Sequence, residues 1–533
     1  MTADPPSPGP ESSSKEYLTR AAGSVALATL ISRLFGYLRD MIIADLFGAR
    51  AAADAFFVAF RIPNLLRRFT AEGALTAAFV PVYSEALKRK GKPGAFPIIC
   101  NLLTILTALL MIVTAGGVIF APWIVKVIAP GFTSDPHTYE LTTQLTRIMF
   151  PYLLVISIAA TFMAALNSMG RFFIPAIAPA LLNISIIVCA LLFYDKFEEP
   201  TTALAIGVLI GGVLQMAVQI PPLLKLGFRY VPSFDLKDVA TRKIGLLMIP
   251  AAFGMAVAEI NVFVDTILAS LLPEGSVSYL FYGNRLVQFP LGVFGVAVGI
   301  AALPIMSREV AEGKTEKLAD LLSHSLRMIL FVSIPSTVGL IILANPMINT
   351  LFERGQFDEA ARAGSALALS LYAIGLVAFA GVKVTVSAFY SLQDTSTPTK
   401  IAAWCMALNV ALNLLLMGPL KHGGLALATS ISSMVNILAL LWLLRKRLES
   451  IDGFNIARSG SIMLAASVIM GGAVYGYIVQ FYAYNDVLIV KAFHLFSAIS
   501  IGIIVYAGFM LFFGSREAIS IKNRFAGKLG LGS

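Results

Sequence analysis

Arg33, Arg39 and Asp40 lie within "SRLFGYLRD" (residues 32–40), inside a stretch from Gly23 to Phe47 that is otherwise almost wholly apolar or small. A charged side chain at the centre of a bilayer costs about 2.5–3.5 kcal/mol on insertion scales, and such residues normally face a bundle interior or a water-filled cavity. Arg33 and Asp40 are seven residues apart, so a helix carries them on one face, with Arg39 about 100° round. The following segment places Asp54, Arg61 and Arg68 at i, i+7 and i+14, again on one face, flanked by Arg67 and Glu72, with Pro63 set to bend the helix. Further along, Arg285 opens a related region. Five arginines in the first two segments outnumber Asp40, Asp54 and Glu72. The planar guanidinium fork matches phosphate oxygens in pairs, so this surplus points to recognition of a dense anion such as a pyrophosphate. The plainer reading is mutual pairing, as Arg68 and Glu72 at i, i+4 allow. For Arg147, Arg327 and Lys383, nearer the ends of their segments, pairing with other charges or snorkelling to the cytoplasmic surface is the expectation.

The elements that must position these residues are membrane helices. The chain is 58% hydrophobic and 13% charged, with a mean hydropathy of +0.82. That excludes a soluble domain, and the apolar runs are too long and continuous for a β-barrel. The fold class is an all-α polytopic membrane protein with about fourteen transmembrane helices. They are expected near 24–47, 54–87, 97–120, 142–166, 172–194, 202–224, 244–270, 277–306, 318–344, 363–390, 398–417, 423–444, 459–480 and 487–514. The net charge of +10 resides mainly in loops such as "KRKGK" (88–92) and "RKR" (445–447), which reflects topology and not nucleic-acid binding. Its distribution puts both termini in the cytoplasm. Cys100, Cys189 and Cys405 sit in apolar segments as packing residues, with no disulfide or zinc spacing. No cleavable signal peptide is visible.

The chain also repeats itself at a period of about 223 residues: "VPVYSE" (80–85) matches "LPIMSR" (303–308), Pro175 matches Pro398, and Arg61 falls one residue from Arg285. Six spans return the chain to its starting side, so the halves are parallel, a transporter architecture whose central cavity lies between them. The organisation is therefore a disordered tail (1–20), an N-terminal six-helix lobe (21–225), a C-terminal six-helix lobe (226–447), two extra helices (448–515) and a second cytoplasmic tail (516–533). Gly292, Gly295 and Gly299 form a small-residue face suited to close helix packing. Asp265, Glu259 and Asp394 are candidate cation ligands, and each serves equally as a salt-bridge or capping residue. No nucleotide-binding or hydrolase motif is present, and His137, His324, His422 and His494 lack metal-ligand spacing.

"SRLFGYLRD", "LFGARAAADAFFVAFRIPNLLRRFTAEGALTAAFVPVYSE", "YGNRLVQFPLGVFGVAVG", "LFERGQF", "FYSLQDTSTPTK" and "GPLKHGGLALATS" together resemble the MurJ (MviN) lipid II flippase family of the multidrug/oligosaccharidyl-lipid/polysaccharide exporter superfamily. The likeness runs in order over almost the whole chain after about residue 20. It implies two six-helix lobes, a central cationic cavity for lipid II, the undecaprenyl-pyrophosphate disaccharide-pentapeptide, and a groove on the last two helices for the lipid tail. It also implies importance for the matching Arg33, Arg39, Arg67 and Arg285, with Asp54 in the same block. Where some members carry acids in the "YGNRLVQFP" motif, this chain has Asn284 and Gln288. A sodium site in the second lobe of some members makes a coupling cation the one cofactor to consider, with Asp394 matching one ligand.

The leading reading is export of lipid II by alternating access across the bacterial inner membrane, with membrane lipids and cell-wall synthesis proteins as partners, no nucleic acid and no enzymatic step. A cation-coupled drug exporter of the superfamily calls for an acidic or apolar cavity, whereas this one is basic. An exporter of another polyprenyl-linked oligosaccharide remains an alternative. A polyprenyl-phosphate enzyme would need metal-binding acids or a base near the phosphate, for which Asp40 and Asp54 are the nearby candidates.

Overall fold

A computed structural model of the chain describes residues 10–67, 74–448, 451–515, 517–519 and 523, with the side chains of 10–22 and 251–258 outside the description. All regular structure among the described residues is helical. The first ten helices are α1 (Pro10–Phe47), α2 (Ala51–Arg67), α3 (Ala74–Ile119), α4 (Ala121–Ile128), α5 (Pro136–Met149), α6 (Tyr152–Ser168), α7 (Phe173–Phe193), α8 (Thr201–Ala217), α9 (Ile220–Lys225) and α10 (Val239–Ser270). The rest are α11 (Ser276–Pro290), α12 (Val296–Ala311), α13 (Thr315–Ile342), α14 (Ala344–Leu351), α15 (Glu359–Ile374), α16 (Leu376–Ser391), α17 (Ser396–Leu420), α18 (His422–Leu448), α19 (Gly453–Phe481) and α20 (Leu488–Phe512). The chain divides into two compact units, Met1–Ile267 and Leu268–Ser533. The sequence repeat turns over near residue 225, but most of α10 belongs to the first unit.

The repeat is visible in the elements. α4, α5 and α7 begin about 223 residues before α14, α15 and α17. Asp135 and Asp358 stand at equivalent positions and do the same work. Asp135 accepts hydrogen bonds from the backbone N–H of His137 (3.2 Å) and Thr138 (3.3 Å), and Asp358 from Ala361 (2.9 Å). Each carboxylate satisfies donors that a helix start leaves without intrahelical partners. The short helices α4 and α14, which amphipathic periodicity alone did not announce, are thus part of the repeat.

By length and apolarity ten helical segments can cross a membrane among the described residues, or eleven if α15 and α16, bent by 41°, form one span. The expected count of fourteen is not reached on that criterion. α1 is not counted because its side chains are described only from Gly23 on, the part into which Arg33, Arg39, Asp40 and Asp45 fall, and α2 because it has only 17 residues. The side chains of 251–258 in α10 lie outside the description. The boundary of the second span also needs correcting. Of the helix expected over 54–87, residues 68–73 lie outside the described residues; Ala51–Arg67 is helical before them, and Ala74–Ile119 after them runs as one helical stretch through the expected loop at 88–92, broken at Gly91 (φ 65°, ψ −177°). Glycine tolerates that left-handed φ without a Cβ clash. Arg68 and Glu72 lie outside the described residues.

Close helix contact relies on glycine at a few points. In α8 a Cβ on Gly207 or Gly211 would come within 2.8 Å of the α7 backbone at Ile186 and Leu182. A Cβ on Gly295 would come within 2.9 Å of Ala380 on α16, so the small-residue face read at 292–299 is a packing face. The three cysteines are buried and free. α19 and α20 pack on α13 and α14 through Met463, Ala466, Met470, Val474 and Met510 against Phe331, Ile334 and Val338.

The turn after α19 is tied down by polar bonds. The Tyr482 hydroxyl donates to Asn349 (2.7 Å) and lies 2.8 Å from the Thr350 hydroxyl; burial pushes the Tyr482 phenol up to about 12. Arg362 donates to both Glu353 oxygens (3.0 Å each) and to Glu359 (2.6 Å), and its guanidinium lies 4.6 Å from the centre of the Tyr484 ring. The "LFERGQF" motif therefore supplies Glu353 to a latch on the α19–α20 turn. At the other end Arg327, expected to pair or to snorkel, pairs: it is 15% exposed and meets Asp452 (3.6 Å) and Glu517 (3.3 Å). Those two acids flank α19 and follow α20, so their partner is set by the tertiary fold and not by helix position.

Candidate functional site: charged membrane helices

The site begins on α1. Asp40 is fully buried, and a lone carboxylate there would be expensive. Arg39 meets that cost: its Nε and Nη2 donate to the same Asp40 oxygen at 3.0 and 2.6 Å. Its third donor, Nη1, reaches Asn183 Oδ1 on α7 at 3.0 Å, and Asn183 Nδ2 donates to the Ser32 carbonyl of α1 at 3.2 Å. Asn183 thus fastens α7 to α1 and orients the guanidinium. Sequence reasoning passed over it, although an asparagine inside "LLNISII" is the kind of polar residue that bonds across membrane helices.

Arg33, one to two turns earlier, behaves oppositely. It is exposed and makes no hydrogen bond or ion pair among the described residues. Arg33 and Asp40 share a face by spacing, yet the carboxylate turns into the α1–α7 packing and takes its immediate neighbour as partner.

On α2, Asp54 is 2% exposed. Arg61 is half-buried and donates from Nη1 to the Thr266 hydroxyl of α10, which itself donates to the Val262 carbonyl at 2.7 Å. Thr266 is the second polar partner that sequence reading did not single out. Arg67, also half-buried, donates from Nε to Asn64 at 2.9 Å. In the first unit the structure therefore gathers Arg39 with Asp40 on α1–α7, and Arg61 with Thr266 on α2–α10. Arg68 lies outside the described residues.

In the second unit, Arg285 is half-buried on α11, followed by a wide π turn over Leu291–Gly295. Pro290 lacks an N–H to continue the α-helical ladder, and such turns often mark functional segments. Asn284 and Gln288 bond each other at 2.7 Å. Among the described residues no three His, Cys, Asp or Glu side chains come together to hold a metal ion. Asp394 is engaged elsewhere, accepting from the Thr397 N–H (2.9 Å) and hydroxyl (2.6 Å) and pairing with Arg447 (2.6 Å). Asp265 and Glu259 are half-buried on α10 in the other unit.

Repeated helical units with arginines held at span depth are the construction of a polytopic membrane transporter. The fold is shared with an inward-facing multidrug resistance MATE family transporter of the MOP superfamily (TM-score 0.66, 16% identity, 81% of this chain and 99% of that one), a likeness of fold alone. The chain belongs to the family described as lipid II flippase MurJ, whose family model matches residues 43–496. It is 35% identical over 507 residues to a probable lipid II flippase MurJ of Haemophilus influenzae, covering 92% of this chain and 98% of the relative. It is 37% identical over 434 residues to the lipid II flippase MurJ of Burkholderia cenocepacia, covering 81% and 84%. A solved lipid II flippase MurJ in an inward closed conformation superposes with a TM-score of 0.77 at 27% identity, covering 92% of this chain and 98% of that one.

Proposed function

We propose that this protein carries lipid II from the cytoplasmic to the outer leaflet of the bacterial inner membrane by alternating access, with both termini in the cytoplasm and no chemical change in the cargo. The observation that carries the reading is the use of arginine on α1 of a MurJ-family chain: Arg39 is neutralised inside the protein, whereas Arg33 is exposed and pairs with no acid among the described residues. An exposed guanidinium in hydrocarbon is costly, and a pyrophosphate headgroup is a partner that offsets that cost. A polar headgroup cannot cross hydrocarbon unaided, and fixed protein donors replace the water it leaves. Outward movement of a net-anionic cargo is favoured by an inside-negative potential, at about 2.3 kcal/mol per charge per 100 mV.

The test is complementation of a strain depleted of its own lipid II flippase, with lipid II accessibility measured on each leaflet. Restoration of outer-leaflet lipid II by the intact chain, and its loss in the Arg33→Ala variant at equal membrane abundance, is the expected result. Growth without outward lipid II, or chemically altered lipid II, would overturn the reading.

A further inference from the structure

The segment joining α9 to α10 is not a free loop. It leaves α9 at Gly227 (φ 90°) and runs as an extended strap along the first turns of the apolar half of α3. Asn101, 3% exposed, treats it as a partner strand: Oδ1 accepts from the Asp235 N–H at 2.7 Å and Nδ2 donates to the Asp235 carbonyl at 2.8 Å. Asn101 also donates to the Thr241 hydroxyl at 2.9 Å. Thr104 accepts from the Ser233 N–H at 3.3 Å and lies 2.9 Å from the Tyr230 hydroxyl. Phe228 tucks inward, with ring centroids 5.5 Å from Phe96 and 6.4 Å from Phe162.

A strap held this firmly presents its remaining side chains outward, and they are unlike those of a solvated loop. Val231, Phe234, Leu236 and Val239 are 65%, 61%, 64% and 80% exposed. Among them stand Arg229, Lys237 and Arg242, all exposed and without an ion pair among the described residues. The two acids of the segment face local duties: Asp235 accepts from the Lys237 N–H (2.8 Å), and Asp238 caps α10 through the Thr241 N–H (2.8 Å) and hydroxyl (2.7 Å). The stretch of α3 beneath the strap, Phe96 to Thr104, rises about 12 Å, which is the depth of the headgroup layer and the uppermost acyl carbons.

We propose that this strap is a lipid-surface anchor: Phe234, Leu236, Val231 and Val239 enter the interfacial layer of the leaflet, and Arg229, Lys237 and Arg242 bind the phosphates of anionic lipids there. Apolar side chains interleaved with bases, and no spare acid, are what an anionic interface selects. The anchor holds the connection between the two repeats at a fixed depth. It goes beyond the transport reading and does not depend on the cargo.

The test uses the full-length protein in vesicles with both leaflets alike, so orientation does not enter. Trp123, Trp404 and Trp442, all exposed, are replaced by Phe, and Phe234→Trp supplies the single fluorophore, with Leu236→Trp in the same background as a second probe should the first misfold. The tryptophan is expected to be quenched by lipids brominated near the carbonyl and shielded from aqueous iodide. Brominated phosphatidylglycerol should quench about fivefold more than brominated phosphatidylcholine at equal fraction, the effect of a single basic residue at an anionic surface. Combining Arg229→Gln, Lys237→Gln and Arg242→Gln should abolish that preference. Iodide quenching without bromolipid quenching would place the strap in water, leaving the surface for a soluble protein, and would overturn the proposal. Equal quenching by both lipids in the unmodified strap would also overturn it.

Discussion

Replacing Arg39 by alanine removes three hydrogen bonds at once, two to Asp40 and one to Asn183. Arg39 is 13% exposed and Asp40 0%, so solvent screens the pair little. Removing one partner of a buried ion pair costs about 3–5 kcal/mol. The lost Asn183 bond adds about 1 kcal/mol. Arg39→Ala should therefore destabilise the first unit by about 5 kcal/mol. Arg33 is exposed and has no such partner, so Arg33→Ala should change stability by less than about 0.5 kcal/mol. Both should reduce lipid II export, but for different reasons. The assay pairs the thermal midpoint of purified protein with leaflet-resolved lipid II, normalised to membrane-inserted protein. Combining Arg39→Met with Asp40→Leu should recover most of the midpoint, because an apolar pair of similar volume commonly matches a buried ion pair in stability. An unchanged midpoint in Arg39→Ala would refute the structural role. Equal destabilisation by Arg33→Ala would refute the division of labour.

Three further outcomes are expected. Arg327→Ala should lower the thermal midpoint while leaving export per folded molecule unchanged, since Arg327 ties α13 to Asp452 and Glu517 within the second unit. Arg362→Lys keeps a charge but loses the fork on Glu353 and the stacking on Tyr484, so hydrogen exchange over 482–487 should rise, and an unchanged exchange rate would exclude the latch. Hydrogen bonds from Thr397, with Arg447 behind them, hold the Asp394 carboxyl below the usual carboxylate range. Its stabilisation is therefore complete above its unfolded value of about 3.9 and is lost only as pH falls through the lowered folded value. The hydrogen-exchange protection factor at the α16–α17 turn should accordingly stay flat from neutral pH to about 5 and fall only below about 4, a transition that Asp394→Asn should remove.

What the sequence made legible was whatever periodicity and composition encode. The apolar runs that became α7, α8, α13 and α17–α20 needed no tertiary information, because hydrocarbon selects them one helix at a time. The repeat was readable from "VPVYSE" and "LPIMSR", and it extends to the paired caps Asp135 and Asp358. Partner choice was not readable. Seven-residue spacing matched Asp40 with Arg33, but an adjacent arginine reached the carboxylate once Asn183 of α7 gave that guanidinium a third bond. Arg327 was readable as a residue that pairs or snorkels, but its acids, 125 and 190 positions away, were not. The break at Gly91 separates two helices that the basic run 88–92 had suggested were joined by a loop.

The helices that carry charges within their apolar stretches are the ones that define the site. α1 and α2 are poor membrane spans taken alone, because Arg33, Arg39, Asp40, Asp54, Arg61 and Arg67 penalise insertion. A protein with no use for those charges would gain stability by losing them, since an apolar replacement of Arg39 and Asp40 would pack as well. The buried pair and its Asn183 clasp can be understood as scaffolding that fixes the orientation of α1. That explanation does not extend to Arg33, which no bond among the described residues compensates. A charge kept at membrane depth without internal compensation needs water or a ligand beside it, and rigid scaffolding one to two turns away is what holds it in register for an anionic headgroup.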